Sequence, residues 1–345
     1  MSENGNGLTP MDDAKLKLSK RKSIAAGIPA VLSSAAHSVK KMGVTKSIKT
    51  LTMVNQKEGF DCPGCAWPDP KHRSSFEFCE NGAKAVADEA MSAKVNREFF
   101  AKYSVNELAQ NSDYWLNSQG RIAEPMYLQA GASHYQPISW DEAFAKIADK
   151  LNSLSSPNRA VFYTSGRTSN EAAFLYQAFV RMYGTNNLPD CSNMCHESSG
   201  KALVSTIGIG KGTVTLDDFN HAETILVIGQ NPGTNHPRML TALRDAKQNG
   251  ATIIHVNPLP ETGLERFKHP QDYMKLNFST TKLSDYHIAV KIGGDAALFQ
   301  GLNKLIIESA KLNKPFIDNK TKHFSDYEES LKEINWERII SDSGV

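Results

Sequence analysis

Residues 224–237, TILVIGQNPGTNHP, form the stretch that decides the fold. Its first five residues, Thr224–Ile228, are mostly apolar and β-branched, which is typical of a buried strand. Gly229 follows directly, and Pro237 suits the first turn of a helix that the pattern extends to Asn249. The stretch therefore predicts a strand, a glycine-containing turn and a helix.

The regions on both sides of this stretch repeat the same order of elements. Further strands are predicted at 160–163, 252–256 and 288–292, and further helices over 170–183 and 295–305. Strands and helices in such close succession indicate a parallel sheet with right-handed crossovers. The predicted fold class is α/β, with doubly wound, mostly parallel sheets of the dinucleotide-binding kind, preceded by a small irregular N-terminal segment that carries cysteines.

A helix is also predicted just before the first of these strands. Ser139 and Glu142 match the spacing of a capping box, and Phe144, Ile147, Ala148 and Leu151 repeat at helical spacing behind them. We expect the face that carries these four apolar residues to belong to the core.

The composition limits the classes of partner. The chain of 345 residues leaves room for two or more domains, and 39 basic against 37 acidic residues give a formal charge of +2, so we expect no nucleic-acid partner. No window approaches the roughly 18 apolar residues of a membrane span. Five cysteines in a chain of this length fit reduced thiols, and we expect a soluble, cytoplasmic protein.

Changes in composition divide the chain into four segments. Residues 1–50 are predicted to be a basic, flexible arm, because residues 15–49 contain nine Lys or Arg and no Asp or Glu. Residues 51–135 carry three of the cysteines, residues 136–310 form the α/β domain, and residues 311–345 are predicted to be a linker or a truncated continuation. An export signal is disfavoured, since glycine and proline interrupt the short apolar patch of the arm.

The motif Cys62-Pro63-Gly64-Cys65 places two thiols on one tight turn, where both can face the same metal. A zinc ion or a cubane cluster takes four ligands, and Cys79 supplies a third thiol nearby. A redox dithiol and a pair of incidental thiols remain alternatives. The pattern favours a metal or cluster site.

A second cysteine motif, Cys195-His196, combines a soft thiolate with the side chain that titrates near neutral pH. It allows three interpretations: a metal ligand with a neighbouring base, a nucleophilic thiol, or a buried cysteine without chemical importance. The second is disfavoured because an activating imidazole usually comes from elsewhere in the fold. A lone cysteine is most often simply packed in the core.

The turn after the strand at 224–228 carries candidate ligand-binding residues. A glycine at position 229 lets the backbone approach a ligand, and a pyrophosphate at the N-terminus of the following helix would find free amide hydrogens. At the end of the next strand, Asn257 stands where an acidic residue commonly binds a ribose hydroxyl. The alternative is an ordinary strand-to-helix turn.

Five features occur in a specific order: the pair Cys62 and Cys65, the pair Cys195 and His196, the turn at 229–237, and the dipeptides Asn-Pro at 257 and Gly-Asp at 294. In this order they resemble the N-terminal half of the molybdopterin oxidoreductases, in particular the formate dehydrogenase-like alpha subunit branch. The hallmark of that branch is GFDCPGCAWP, residues 59–68. The resemblance covers roughly residues 55–310, and the joint occurrence is far more specific than any one feature.

The resemblance implies a molybdenum-dependent oxidoreductase, whose molybdenum or tungsten atom is held by two molybdopterin guanine dinucleotides in residues 136–310. It implies that Cys195 is the protein ligand of the metal and that His196 accepts or relays the proton when a small substrate such as formate gives up two electrons. The family positions that line the dinucleotides or meet ribose, guanine and phosphate are matched by Gly229, Asn231, His236, Asn257, Thr262, Gly294 and Asp295.

The resemblance also implies a 4Fe-4S cluster that receives the electrons and passes them to an acceptor protein or a quinone-linked chain, as in anaerobic respiration. Cys62, Cys65 and Cys79 match cluster ligands, and Lys84 matches the lysine that bridges cluster and pterin. The chain departs from the C-x-x-C-x-x-x-C pattern, because Asp69 occupies the place of the third cysteine. The cluster would then be labile, use an oxygen ligand such as Asp69, or be absent.

Two other interpretations stay open. Family members run several hundred residues further, which suggests a truncated product, and a non-catalytic remnant would keep the fold and a metal at Cys62 and Cys65 without turnover. The second alternative is a nicotinamide-dependent dehydrogenase. The missing G-x-G-x-x-G motif and the asparagine at position 257 count against it.

Overall fold

The computed structural model describes residues 20–65, 67–189, 194–275 and 279–345. Its internal contacts divide the chain into two compact units. The first unit contains Ile28–Val214, and the second contains Lys22–Gly27 together with Thr215–Val345. The helices and strands of each unit are therefore described separately.

The first unit is mostly helical, with short two-residue strands. Its strands, numbered in chain order after β1 of the second unit, are β2 (Lys94–Val95), β3 (Arg121–Ile122), β4 (Met126–Tyr127) and β5 (Gln136–Pro137). Its helices are α1 (Gly27–Met42), α2 (Val44–Leu51), α3 (Glu80–Glu89), α4 (Arg97–Lys102), α5 (Val105–Ala109), α6 (Asp113–Ser118), α7 (Trp140–Asn152), α8 (Asn170–Tyr183) and α9 (Glu197–Ile207).

The second unit alternates strands and helices. Its strands are β1 (Ala25–Ala26), β6 (Thr224–Ile228), β7 (Thr252–Val256), β8 (Phe267–Lys268) and β9 (Tyr286–Ile288). Its helices are α10 (Pro232–Asn235), α11 (Met239–Gln248), α12 (Thr262–Glu265), α13 (Asp295–Glu308), α14 (Lys314–Lys320), α15 (Phe324–Lys332) and α16 (Trp336–Ser343).

A three-stranded parallel sheet organises the second unit. Its strand order is β6-β7-β9, with Thr224 opposite Thr252 and Ile254 opposite Tyr286. Ile253 packs in one core cluster with Leu240 and Leu243 of α11, whereas its neighbour Ile254 packs in another with Leu298 of α13. Because successive strand residues point to opposite faces, α11 and α13 cover opposite faces of the sheet. The predicted α/β fold class with parallel strands is confirmed.

Two of the predicted strands are found at their predicted positions, 224–228 and 252–256. The strand predicted at 288–292 is wrong in position, because β9 ends at Ile288. After that residue the pairing with β7 ends, and the backbone N–H of Lys291 donates to the backbone carbonyl oxygen of Ser343 in α16. Of the apolar residues beyond Ile288, Val290 is buried in a cluster with Leu298 of α13, whereas Ile292 is 92% exposed.

The strand predicted at 160–163 is also absent. Ala160 and Phe162 are buried in the core of the first unit, as their apolar character suggests. Their backbone groups, however, bond to Asn187, through its carbonyl oxygen and its side-chain amide. One distant asparagine thus satisfies hydrogen-bonding groups that a neighbouring strand would otherwise satisfy.

Two predicted helix ends in the first unit are found as their capping residues indicate. Ser139 and Glu142 form the predicted capping box of α7, and α8 ends at Gly184, whose φ is 104°. The predicted core face of α7 is wrong for three residues, since Phe144, Ile147 and Ala148 are exposed. Leu151 alone of the predicted four packs against the core cluster.

The basic segment predicted to be a flexible arm is helical from Gly27 onwards, in α1 and α2, while residues 1–19 lie outside the described parts of the chain. His37 and Lys41 of α1 both reach Asp88 of α3, at 3.2 and 3.5 Å. One distant acidic residue, Asp88, therefore contacts two side chains of α1, which the composition of the basic segment does not reveal.

Residues 311–345, predicted to be a linker or a truncated continuation, contain α14, α15 and α16. Ile339 of α16 is buried and packs against Gly301 of α13. A Cβ added at Gly301 would lie 2.8 Å from the Cγ2 atom of Ile339. Among the described residues, no helix is long and apolar enough to cross a membrane.

Candidate functional site

Two cysteine side chains, Cys62 and Cys79, meet at Gly82 in the first unit. Cys79 is the N-cap of α3, and its sulfur accepts from the backbone N–H of Gly82 at 3.3 Å. A Cβ added at Gly82 would lie 2.9 Å from the Cys62 sulfur and 3.6 Å from the Cys79 sulfur. A glycine is therefore needed here to let two thiols approach the same backbone.

Asn55 joins the loop of the first two cysteines to the segment that leads to the third. Its Oδ1 accepts from the backbone N–H of Cys62 at 2.8 Å, and its Nδ2 donates to the carbonyl oxygen of Glu77 at 2.7 Å. The residue is buried and has a φ of 56°, in the left-handed region that asparagine tolerates better than most residues. Asn55 was not predicted, because only the folded chain shows its two partners.

The three thiols influence one another electrostatically. Burial raises the pKa of the Cys79 thiol, a hydrogen bond from the Gly82 backbone opposes this, and the nearby Cys62 and Cys65 raise the pKa further. Three thiolates this close repel one another, so a positively charged metal centre would be needed to hold all of them deprotonated.

The donor set suits a polynuclear cluster better than a single ion. Among the described residues, no three His, Cys, Asp or Glu side chains surround one point closely enough to hold a single metal. A cluster spreads its thiolate ligands over several irons, so it accepts more widely spaced sulfurs. Asp69, the predicted oxygen ligand, lies 3.5 Å from Arg73 in an ion pair. Cys62, Cys65 and Cys79 are thus three thiols in one region, and the described residues do not single out a fourth donor beside them.

Lys84 lies on α3, two residues after Gly82, and its Nζ contacts Glu80 Oε1, one turn earlier, at 2.7 Å. Its side chain is partly exposed. The helix that Cys79 caps therefore also carries the lysine predicted to lie next to the cluster.

Cys195 and His196 are both exposed in the first unit. His196 is the N-cap residue of α9, and its backbone carbonyl accepts from Gly200. The exposure of Cys195 disfavours the interpretation of a buried, chemically unimportant thiol. Cys191 and Asn193, just before the motif, lie outside the described residues.

The turn after β6 differs in detail from its prediction. Gly229 has a φ of 62°, and an added Cβ would meet no atom within 4 Å, so backbone conformation is the reason for this glycine. The short helix α10 follows first, and α11 begins only at Met239. His236 is half-buried at the end of α10. The single helix predicted from Pro237 is therefore preceded by an extra turn.

A carboxylate that was not predicted links two predicted site residues. Glu261 Oε2 accepts from Asn231 Nδ2 at 2.7 Å, and Glu261 Oε1 accepts from Asn257 Nδ2 at 3.0 Å. Asn231 follows β6 and Asn257 follows β7, so Glu261 joins the carboxyl ends of two neighbouring parallel strands. In open α/β sheets, ligands bind at this edge.

The remaining predicted residues of the second unit lie around these strand ends or on the neighbouring helix. The hydroxyl of Thr262, the first residue of α12, donates to the carbonyl oxygen of Lys22 at 3.0 Å. Gly294 is buried, and an added Cβ would lie 2.6 Å from the carbonyl oxygen of Asp342, so packing against the end of α16 accounts for this glycine. Asp295 is the half-buried first residue of α13.

Two stacked histidines lie beneath the end of β7. His255 is 2% exposed, and its ring centroid lies 5.0 Å from that of His287 on β9. Burial lowers the pKa of His255 to about 4, the charge of His287 lowers it too, and a backbone hydrogen bond with Gln230 opposes both. His287 Nε2 donates to the carbonyl oxygen of Asn257 at 2.8 Å. The pair therefore supports the backbone of a predicted site residue.

The structure thus assembles the predicted residues into two groups, each within one unit. Cys62 and Cys79 adjoin Gly82 in the first unit, with Cys65 near enough to influence Cys79, and two asparagines share Glu261 in the second. The spacing of Glu261, four residues after Asn257, is the one sequence signal that could have indicated it.

Comparison with known proteins gives a family match. The model of the family described as molybdopterin oxidoreductase matches residues 121–335. An uncharacterized oxidoreductase of Mycobacterium tuberculosis is 51% identical over 98% of this chain and 44% of its own length. Protein YdeP of Escherichia coli is 46% identical over 96% of this chain and 45% of its own length.

More distant proteins extend the comparison. Formate dehydrogenase H of Escherichia coli is 28% identical over 65% of this chain and 30% of its own length. The structure of acetylene hydratase from Pelobacter acetylenicus superposes with a TM-score of 0.50 and 22% identity over 62% of this chain and 27% of that chain, a likeness of fold alone. This chain spans less than half the length of the curated relatives named here.

Proposed function

This chain belongs to the molybdopterin oxidoreductase family, and we propose that it binds molybdenum through two molybdopterin guanine dinucleotides and acts on a small, formate-like substrate. The family implies a molybdopterin cofactor and an oxidoreductase. Oxidation of formate in this way releases carbon dioxide, one proton and two electrons. The bound metal would supply the site that accepts the two electrons.

The observation that carries the proposal is the paired asparagines at the ends of β6 and β7. Glu261 holds the side chains of Asn231 and Asn257, so both amides are oriented before a ligand arrives. This preorganisation suits the nucleotide part of a pterin dinucleotide, because it lowers the entropic cost of binding. The left-handed turn at Gly229 lies between the same strand ends.

Two side chains of the first unit would serve the metal and the proton. Cys195 offers an exposed thiol, which as a thiolate is a suitable soft ligand for the metal. His196 is its neighbour in the chain and would receive the proton from the substrate, since imidazole suits proton transfer near neutral pH.

The three-cysteine site would hold an iron–sulfur cluster that takes the electrons onward. Its thiols are Cys62, Cys65 and Cys79, and Lys84, on the helix that Cys79 caps, would serve as the family lysine between cluster and pterin. An acceptor protein or a quinone-linked chain would then receive the electrons, which balances the oxidation of the substrate.

Elemental and nucleotide analysis of anaerobically purified protein tests the proposal. We expect molybdenum, iron and guanine nucleotide released by acid hydrolysis in the unaltered chain. Cys195→Ser should lose molybdenum and keep iron, whereas Cys79→Ser should lose iron. Met194→Leu, which alters an exposed neighbour of Cys195, is the matched control and should keep both metals. Zinc without molybdenum or guanine nucleotide would instead indicate a non-catalytic metal-binding protein.

A further inference from the structure

The hydrogen bonds of Asn257 leave one of its polar atoms free. Its backbone N–H donates to Ile288 at 3.1 Å, and its backbone carbonyl accepts from His287 at 2.8 Å. Its Nδ2 donates to the carbonyl oxygen of Leu259 at 2.9 Å and to Glu261 Oε1 at 3.0 Å, which uses both amide hydrogens. Among the described residues, Oδ1 has no partner, and the residue is half-buried.

The neighbours of Asn257 also determine which way its amide points. A carbonyl oxygen and a carboxylate can only accept hydrogen bonds, so the NH₂ group must face Leu259 and Glu261. The opposite orientation would place Oδ1 against two acceptors. Oδ1 is therefore the side-chain atom that remains for a ligand.

Glu261 is itself held in place by a second asparagine. Its Oε2 accepts from Asn231 Nδ2, and Asn231 Oδ1 accepts from the backbone N–H of Thr234 at 3.2 Å. Rotation of the Glu261 carboxylate would break its bonds to both asparagines. The network thus resists a change in the amide orientation of Asn257.

We propose that Glu261 is a positioning residue that makes Asn257 present only a carbonyl acceptor, so that Asn257 binds a hydrogen-bond donor of a guanine nucleoside and not its phosphate. Ionised phosphate oxygens are acceptors and would repel Oδ1. The suitable donors are the ribose hydroxyls and the N–H groups of guanine. This inference rests on the proposed function, since it assumes a guanine dinucleotide at the strand ends.

The arrangement also explains why an asparagine replaces the usual acidic residue. At the end of such a strand, a carboxylate commonly accepts from a ribose hydroxyl. Here the carboxylate stands four residues later, as Glu261, and an aspartate at position 257 would place two negative charges side by side. The amide provides the same acceptor function without that repulsion.

Calorimetric titration of the full chain, freed of bound cofactor, tests the ligand assignment. The probes are GDP, its 2′-deoxy and 3′-deoxy analogues, IDP, which lacks the exocyclic amine of guanine, and pyrophosphate. We expect one donor deletion to weaken binding to the unaltered chain about three- to tenfold, as for a neutral hydrogen bond. Asn257→Ala should abolish this discrimination, Glu261→Gln should reduce it, and neither should alter pyrophosphate binding.

Several results would overturn the inference. The first is that Asn257→Ala discriminates between GDP and its analogues as strongly as the unaltered chain does. The second is that Asn257→Ala loses affinity for pyrophosphate as much as for GDP. The third is that GDP does not bind to the unaltered chain. Glu308→Gln, an exposed glutamate of α13, is the matched control and should behave as the unaltered chain. Far-UV circular dichroism verifies that each variant folds.

A double-mutant cycle tests the orientation without a ligand. Urea unfolding of the single and double variants of Glu261 and Asn257 should show coupling of about three- to tenfold in the unfolding constant. Additive effects would contradict the positioning role. The metal and nucleotide analysis distinguishes the two proposals. If the purified chain contains pterin but Asn257→Ala still discriminates between GDP and its analogues, this inference alone is rejected. If the purified chain contains no molybdenum or pterin, the proposed function is rejected.

Discussion

Acidification should destabilise the parallel sheet of the second unit through one buried histidine, His255. The residue is 2% exposed, and its Nε2 has no hydrogen-bond partner among the described residues. Its pKa is lowered from 6.5 to about 4, first by burial and then by the charge of His287. The neutral ring is therefore compatible with the fold and the charged ring is not.

The sign and size of the effect follow from these two pKa values. Between them the unfolded chain binds a proton that the folded chain excludes, so stability falls as the pH falls from about 6.5 to about 4. Each pH unit in this window lowers the free energy of unfolding by about 1.4 kcal/mol. The loss is about 3 kcal/mol over the whole window and about 2 kcal/mol between pH 7 and pH 5. Above the window the stability is fully present.

Hydrogen exchange read by mass spectrometry measures this effect locally in β7. The free energy of opening of Thr252–Val256, corrected for intrinsic exchange, should fall about 2 kcal/mol further between pH 7 and pH 5 in the unaltered chain than in His255→Gln. His323→Gln, an exposed histidine with 82% of its side chain accessible, should retain the full pH dependence. The same pH dependence in His255→Gln and the unaltered chain would refute the reasoning.

Three further outcomes follow from particular contacts. Gly82→Ala should weaken iron binding about 10-fold or more, measured by metal analysis, because its Cβ would lie 2.9 Å from the Cys62 sulfur. Cys195, which is exposed, should be alkylated by iodoacetamide before Cys79, whose pKa is raised by burial, and higher pH should speed the reaction of Cys79, as peptide mass spectrometry would show. Gly229→Ala should cost about 1 kcal/mol in urea unfolding, since its φ is 62°.

One control serves both glycine variants. A Cβ added at Gly212 meets no atom within 4 Å, and this residue has no left-handed φ, so Gly212→Ala should leave iron binding and stability unchanged. Iron content in Gly82→Ala equal to that of the control would contradict the steric argument. Equal alkylation rates of Cys79 and Cys195 would contradict the difference in accessibility.

Local signals predicted several elements correctly. The boundaries of β6, β7 and α8 follow from short apolar runs, capping residues and terminating glycines, all of which lie within the element itself. The order of the cysteine and asparagine motifs also indicated the family, which the match over residues 121–335 confirms.

Predictions failed where a distant partner decides the outcome. The segment 160–163 is apolar like a strand, but Asn187 satisfies its backbone groups. The basic residues of α1 suggested a flexible arm, but Asp88 binds two of them. A single sequence does not show which residues far along the chain become neighbours.

The sequence by itself determined which chemical groups this protein carries and which strands lie parallel, because residue type and periodicity are local properties. The tertiary structure alone decided how those groups are held. Asn55 joins Cys62 to the segment before Cys79, and Glu261 joins two asparagines that follow different strands. Hydrogen-bond partners depend on which loops the folded sheet and helices bring together, and one sequence contains no direct record of that pairing.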